Sequence, residues 1–186
     1  MIDKRQHIND KGEIVNETFN RYPDAMTDEG YRIPSHKLGA RLFADVQFPK
    51  EMLYIDIGRM TVLSKLMIRR TNMLGYRVGR RIEAYTTYEI GGLVGLRSES
   101  QRYAFINRML KLRVMQRVDI NGKSQYYINP AYFMSAGQRL SLDLFLLFRE
   151  ELAPIVPLWA MRSFLCQARE KEVPAVEQVE EIIRGE

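Results

Sequence analysis

The forty-odd residues from Tyr85 to Ile128 constrain this chain more than any other stretch. They read TTYEIGGLVGL, then RSESQRYAFINRMLKLRVMQ, then RVDINGKSQYYI. Thr86 is followed three positions on by Glu89, and Ser98 three positions on by Gln101. Each pair has the spacing of a capping box, in which cap and N3 residues satisfy each other's orphan amides. A helix therefore starts at each site, the first over about Thr87 to Val94 and the second over about Glu99 to Met115. Gly95 is placed to end the first helix in the left-handed region, where a Cβ would be strained. Asn121-Gly122 is the strongest short signal for a two-residue hairpin turn, because both residues tolerate positive φ. Helix, turn, helix and two-stranded ribbon is the outline of a winged helix. The expected fold class is mainly α (α+β): a winged helix-turn-helix domain with a C-terminal helical extension.

Charge shows what such a domain would meet. Residues 57–123 hold 14 Lys and Arg against 4 Asp and Glu, a local balance of +10. The flanking thirds are mildly acidic, so the net +5 of the chain is concentrated in its middle. A basic centre of this kind favours a polyanionic partner. Along the second helix of the motif, Arg102, Phe105, Ile106, Met109, Leu110 and Leu112 share one broad side. The other side carries donors and small residues, the composition needed for base edges and phosphates. Gln101, Asn107 and Arg108 are the expected base readers. Arg97, Ser100, Lys111 and Lys123 are the expected phosphate holders. Ser98, Ala104 and Gln125 complete the candidate double-stranded DNA-binding set.

Upstream, residues 1–54 read as an N-terminal extended arm, with weak strand signals at Ile14-Val15 and Thr18-Phe19 and core anchors at Phe43, Val46 and Phe48. Residues 55–130 form the winged domain. Within it, Asp56 is a plausible cap for a helix continuing to about Gly75, and residues 76–84 read as a loop or short strand pairing with the wing. Arg69-Arg70 and Arg80-Arg81 could follow a phosphate backbone, or only solubilise the helix and loop that carry them. Residues 131–186 read as a C-terminal helical extension. Ser141 caps a helix LDLFLLFREEL, Pro154 and Pro157 interrupt, and LWAMRSFLCQARE follows, with an amphipathic stretch around Val176 and Val179 at the end. Its apolar residues exceed what a small helix pair buries alone. They imply packing on the winged domain, a homodimer, or docking of replication or transcription machinery.

The order of helix, basic helix-turn-helix, Asn-Gly hairpin and then YYINPAYFMSAGQRLS resembles the RepL-type replication proteins of plasmids and phages. Tyr126-Tyr127-Ile128-Asn129-Pro130, with Tyr132-Phe133 and Gly137, carries most of the likeness, and Thr71-Asn72 to Tyr76 adds to it. It spans residues 55–150 and implies a winged helix acting in replication initiation or its control. Because winged helices serve many ends, a plasmid or phage transcriptional regulator is an alternative. So is a protein–protein adaptor recruiting a polymerase or helicase subunit.

The sequence offers little for catalysis. Tyr126 and Tyr127 invite a nicking reading, but that chemistry wants a metal held by clustered histidines, and only His7 and His36 exist. His36 is read as a surface residue, although phosphate contact is open to it. Asn129-Pro130 reads as a strand stop. Gly91-Gly92 and Gly95 precede no Lys-Ser or Lys-Thr, so they form no phosphate-cradling loop. No catalytic residue, metal ligand or cofactor is expected. One cysteine, Cys166, excludes an internal disulfide and reads as inert packing. The N-terminus lacks a signal-peptide core and no apolar run is long enough for a bilayer, so a cytoplasmic protein is expected.

Overall fold

A computed structural model describes residues 46–68, 71–135 and 138–170, together with the backbone of four N-terminal strands. The chain is an α+β protein. Among the described residues it has six helices and several small antiparallel pairings. None of those helices is long and apolar enough to cross a membrane.

The first helix, α1, spans Tyr54–Ser64. It begins two residues before the expected cap: Leu53 is the N-cap and makes no side-chain cap bond. Asp56 lies inside the first turn, fully buried. The helix also stops well short of Gly75, despite helical spacing of Leu66, Met67 and Met73. Tertiary pairing overrides that pattern. Met67 bridges Leu74, the Ile68 amide donates to the Met73 carbonyl at 2.8 Å, and Met73 bridges Tyr127. Asn72 makes the reversal with φ 55°.

The next hairpin joins β5, Gly75–Val78, to β6, Arg81–Ala84. This corrects the expectation for residues 76–84, which form their own hairpin, turning at Gly79. Residues 72–74 meet residues 126–128 instead: the Leu74 amide donates to the Tyr126 carbonyl and the Ile128 amide to the Asn72 carbonyl.

Helices α2, Thr87–Leu93, and α3, Glu99–Lys111, both start with complete capping boxes. Gly95 turns the chain between them at φ 79°. Its amide donates to the Gly92 carbonyl and the Leu96 amide to the Gly91 carbonyl, the paired bonds of a Schellman motif. The same motif ends α3 earlier than its apolar pattern suggests. Arg113 takes the left-handed position at φ 55°, with bonds from Arg113 to Leu110 and from Val114 to Met109. A hairpin follows: β7, Met115–Ile120, pairs with β8, Lys123–Ile128, through the Asn121-Gly122 turn. Both turn residues have positive φ, 51° and 74°.

One apolar cluster holds this region together. Met60 and Leu63 of α1, Ile90 of α2, Phe105, Ile106 and Met109 of α3, and Tyr126 and Ile128 of β8 are all essentially solvent-free. Each large side chain buried there contributes about 1.5–3 kcal/mol. Two asparagines tie the strand ends. Asn72 donates its amide to the carbonyls of Ile128 and Phe133, both at 2.8 Å. Asn129 donates to the Arg113 carbonyl at 2.8 Å and accepts from the Ala131 amide at 2.9 Å. Asn129 thus fixes the exit from β8.

The C-terminal region builds a second cluster. Ser141 caps α4, Leu142–Leu147; Phe148 breaks the expected single helix before α5, Arg149–Leu152; and α6 spans Leu158–Glu170. Phe145 and Phe164 stack with centroids 5.1 Å apart. Val46 packs against both clusters, and Phe48 stacks on Tyr132 at 5.4 Å. Cys166 is exposed on α6, so it is not core packing as expected.

The stretch expected as an extended arm pairs with itself. Strand β1, Ile2–Ile8, runs antiparallel to β2, Ile14–Arg21, and the short β3, Met26–Thr27, pairs with β4, Gly30–Tyr31. Phe43, His36, Arg69, Arg70, Gly137 and residues 171–186 lie outside the described residues.

Candidate nucleic-acid interface

Helix α3 buries Arg102, Phe105, Ile106 and Met109 against the core. With 3.6 residues per turn, the stripe opposite them is Ser100, Ala104, Asn107 and Lys111. All four are exposed, and none makes a side-chain hydrogen bond or ion pair among the described residues. Arg97 is exposed in the turn before α3. Lys123 is exposed at the tip of the β7–β8 hairpin, as the first residue of β8. These six positions match the sequence expectation in exposure.

Four expected contacts stand differently. Arg108 lies on the flank of α3 that faces α1. Its Nε and Nη2 fork onto the Asp56 carboxylate at 2.8 and 3.0 Å. Asp56 is fully buried and also accepts from Arg59 at 3.1 Å. The Arg108 side chain is 37% exposed, but its donors hold a buried anion in place. Arg108, expected as a base reader, thus has two of its donor nitrogens engaged: a guanidinium that left Asp56 would leave the buried carboxylate to Arg59 alone. Ser98 and Gln101 are partly occupied by the cap of α3. The Ser98 hydroxyl accepts from the Gln101 amide at 3.3 Å, and the Gln101 side-chain oxygen accepts from the Ser98 amide at 3.5 Å. The Gln101 side-chain NH2 remains as a donor. Gln125 is half-buried, and its side-chain oxygen accepts from the Tyr127 hydroxyl at 2.8 Å.

Sequence reasoning missed several residues that shape this face. Tyr103, on the flank of the stripe away from Arg108, is half-exposed. Tyr88 on α2 is 64% exposed, and the Arg102 guanidinium lies 3.7 Å from its ring centroid. Gly91 must be glycine, because a Cβ there would stand 2.6 Å from the Arg102 Cβ. Arg80 and Arg81, weighed from the sequence as phosphate-backbone contacts, are exposed around the β5–β6 turn together with Arg77. Between that hairpin and β8 runs an open cleft of about 840 Å³, lined by Arg81, Glu83, Glu89 and Lys123. Its cations are matched by carboxylates, so the cleft has no cationic excess. Glu83 accepts from the Tyr76 hydroxyl at 3.0 Å, and this bond raises the Tyr76 pKa.

The base of the interface is fixed by a further ion pair. Arg113, just past α3, binds Glu151 of α5 through two bonds, and Glu150 lies 3.4 Å from its Nε. The hydrogen bond to Glu151 raises its pKa, against the effect of burial. Of the tyrosines weighed as nucleophiles, Tyr126 is buried with its hydroxyl on Thr87, and Tyr127 donates to Gln125. No group of three or more His, Cys, Asp or Glu is arranged for a metal among the described residues. No family model, curated protein or solved structure matches the chain.

Proposed function

We propose that this chain binds double-stranded DNA through a winged helix, with α3 along the major groove and the β7–β8 ribbon beside it. The observation that carries this reading is the uncommitted stripe Ser100, Ala104, Asn107 and Lys111. It is exposed and mostly polar, holds the small residues Ser100 and Ala104 between its flanks Tyr103 and Arg108, and lies within a segment of net charge +10. A recognition helix needs such a surface: short side chains let it seat deeply, an amide reads base edges, and ammonium groups meet phosphate. Asn107 is the base reader in this reading, with Gln101 contributing its side-chain NH2. Arg97, Lys111 and Lys123 hold the backbone. Arg108 instead positions α3 against α1.

The biological use proposed is replication initiation or its control on a plasmid or phage. Support for that use is the likeness of Tyr126 to Pro130 and its flanks to RepL-type proteins. Asn129 gives that motif a physical role, because its amide and carbonyl set where the wing ends. Selection of bound fragments from a random duplex pool tests the reading. Enrichment of a defined site, with affinity falling steeply as salt rises, is expected. Equal retention of all fragments, or no retention at low salt, would sink it. Mapping the enriched sites to an origin rather than a promoter tests replication against transcription.

A further inference from the structure

Arg102 is 8% exposed, and no carboxylate pairs with it among the described residues. Its Nε donates to the Leu96 carbonyl at 2.8 Å, and Tyr88 covers one face of the guanidinium. Its stem is seated against Gly91. Nη1 is buried with no partner among the described residues. Nη2 also lacks a protein partner there and is on the Gly92 side, where an added Cβ would stand 3.9 Å away. Gly92 is exposed. The Nη2 side of the guanidinium therefore adjoins a residue with no side chain to cover it.

A buried cation is retained at a cost unless an anion and hydrogen bonds compensate it. Here a ring face and one carbonyl supply part of that compensation, and a neutral side chain of the same volume would need neither. The position adds a reason. Arg102 lies in the first turns of α3, beside the α2–α3 turn and its exposed Arg97, where the helix dipole favours negative charge. A phosphodiester oxygen can enter past glycine and accept from a planar fork, geometry that suits guanidinium better than ammonium.

We propose that Arg102 is an anion site for the DNA backbone, its counter-ion a phosphodiester group admitted past Gly92 and bordered by Tyr88. This rests on the DNA-binding reading above. The test is duplex affinity of the full chain against salt for wild type, Arg102→Met and Gly92→Leu, with thermal unfolding alongside. Arg102→Met should flatten the slope of log K against log salt by about 0.9 and weaken low-salt binding. Its unfolding midpoint should be at or above that of wild type. Gly92→Leu should flatten the slope equally with formal charge unchanged, because the leucine covers the entry. Unchanged slope and affinity in a folded Arg102→Met protein overturns the proposal and leaves the DNA-binding reading standing. If Arg102→Met does not fold, Gly92→Leu decides by the same criterion; leucine's better helix propensity favours α2. A wild-type chain with no salt-dependent duplex affinity would remove both readings at once.

Discussion

On the flank of α3 that meets α1, Arg108 is held by a carboxylate that the core has already enclosed. On the side turned away, Ser100, Asn107 and Lys111 have no side-chain partner among the described residues. Both regions are polar and belong to one helix, yet they serve different ends. The first uses charge to fix the helix angle. Asp56 sits at a core position of α1, and its charge is compensated by Arg108 presented from α3 and by Arg59 of α1 itself. The second spends nothing on its own fold, so its donors stay available. What separates them is a rotation of about a quarter turn around the helix axis. Polarity alone therefore does not mark a binding surface; a donor counts when the fold does not need it.

Breaking the inner pair should give the largest effect. Asp56→Ala leaves Arg108 and Arg59 without their shared anion, and should cost about 2–3 kcal/mol in urea unfolding. That is below the ~3–5 kcal/mol of a fully enclosed pair because Arg108 keeps solvent on one side. Adding Arg108→Ala should cost much less than the sum of the two single changes. If Arg108→Ala leaves stability untouched and removes sequence preference in binding, the division between the two faces is wrong.

The outer stripe should answer in the opposite way. Asn107→Ala should change unfolding by no more than about 0.5 kcal/mol. It should weaken the preferred DNA site by about 1–3 kcal/mol while leaving random duplex nearly unaffected. Competition binding between the selected site and a scrambled one measures this. A parallel loss on both duplexes would reassign Asn107 to the backbone.

The residues that could be read from sequence differ physically from those that could not. Thr86 with Glu89, Ser98 with Gln101, Gly95, and Asn121-Gly122 all complete their bonds within a few positions, so spacing alone states the interaction. Arg108 finds Asp56 across 52 positions and Asn72 finds Ile128 across 56, so no local pattern marks them. The end of α1 was misjudged for a similar reason. Met67 and Met73 continue a helical spacing, but pairing with each other's neighbours and with β8 offers their backbone a different set of bonds. The stripe of α3 was legible except at its flank. A helical wheel locates the core side, but it does not say that α1 reaches around to Arg108.

Ser98 sharpens the comparison, because the sequence reads it both as a helix cap and as a DNA contact, and the structure shows the cap. Its hydroxyl satisfies the Gln101 amide at the start of α3. Ser98→Ala should cost about 0.5–2 kcal/mol of stability, whereas Ser100→Ala, two residues further on, should cost almost none. Binding should order them the other way: Ser100→Ala weakens a folded protein's affinity, and Ser98→Ala does so only near its lowered unfolding midpoint. Circular dichroism melts paired with binding at low temperature separate the two.

The smallest effect expected is at the start of α2, and its sign is set by proton linkage. Glu89 accepts from the Thr86 amide at 2.8 Å and from the Thr86 hydroxyl at 2.8 Å. The backbone bond first, and the hydroxyl bond second, hold its pKa below the ordinary carboxylate range; slight burial opposes them. The unfolded chain then binds a proton more readily than the folded one. The cap's contribution is complete above the unfolded carboxylate pKa and is lost as pH falls through the lower folded value. Glu89→Gln should therefore lower stability slightly at neutral pH and close the gap to wild type in acid. Glu89 is exposed, so solvent screening keeps the difference small. Unfolding curves for the two proteins at neutral and acidic pH check this. A gap that stays constant with pH would mean that the glutamine forms the cap bonds no worse than the carboxylate does, and that the charge of Glu89 adds nothing to the helix pair carrying the stripe.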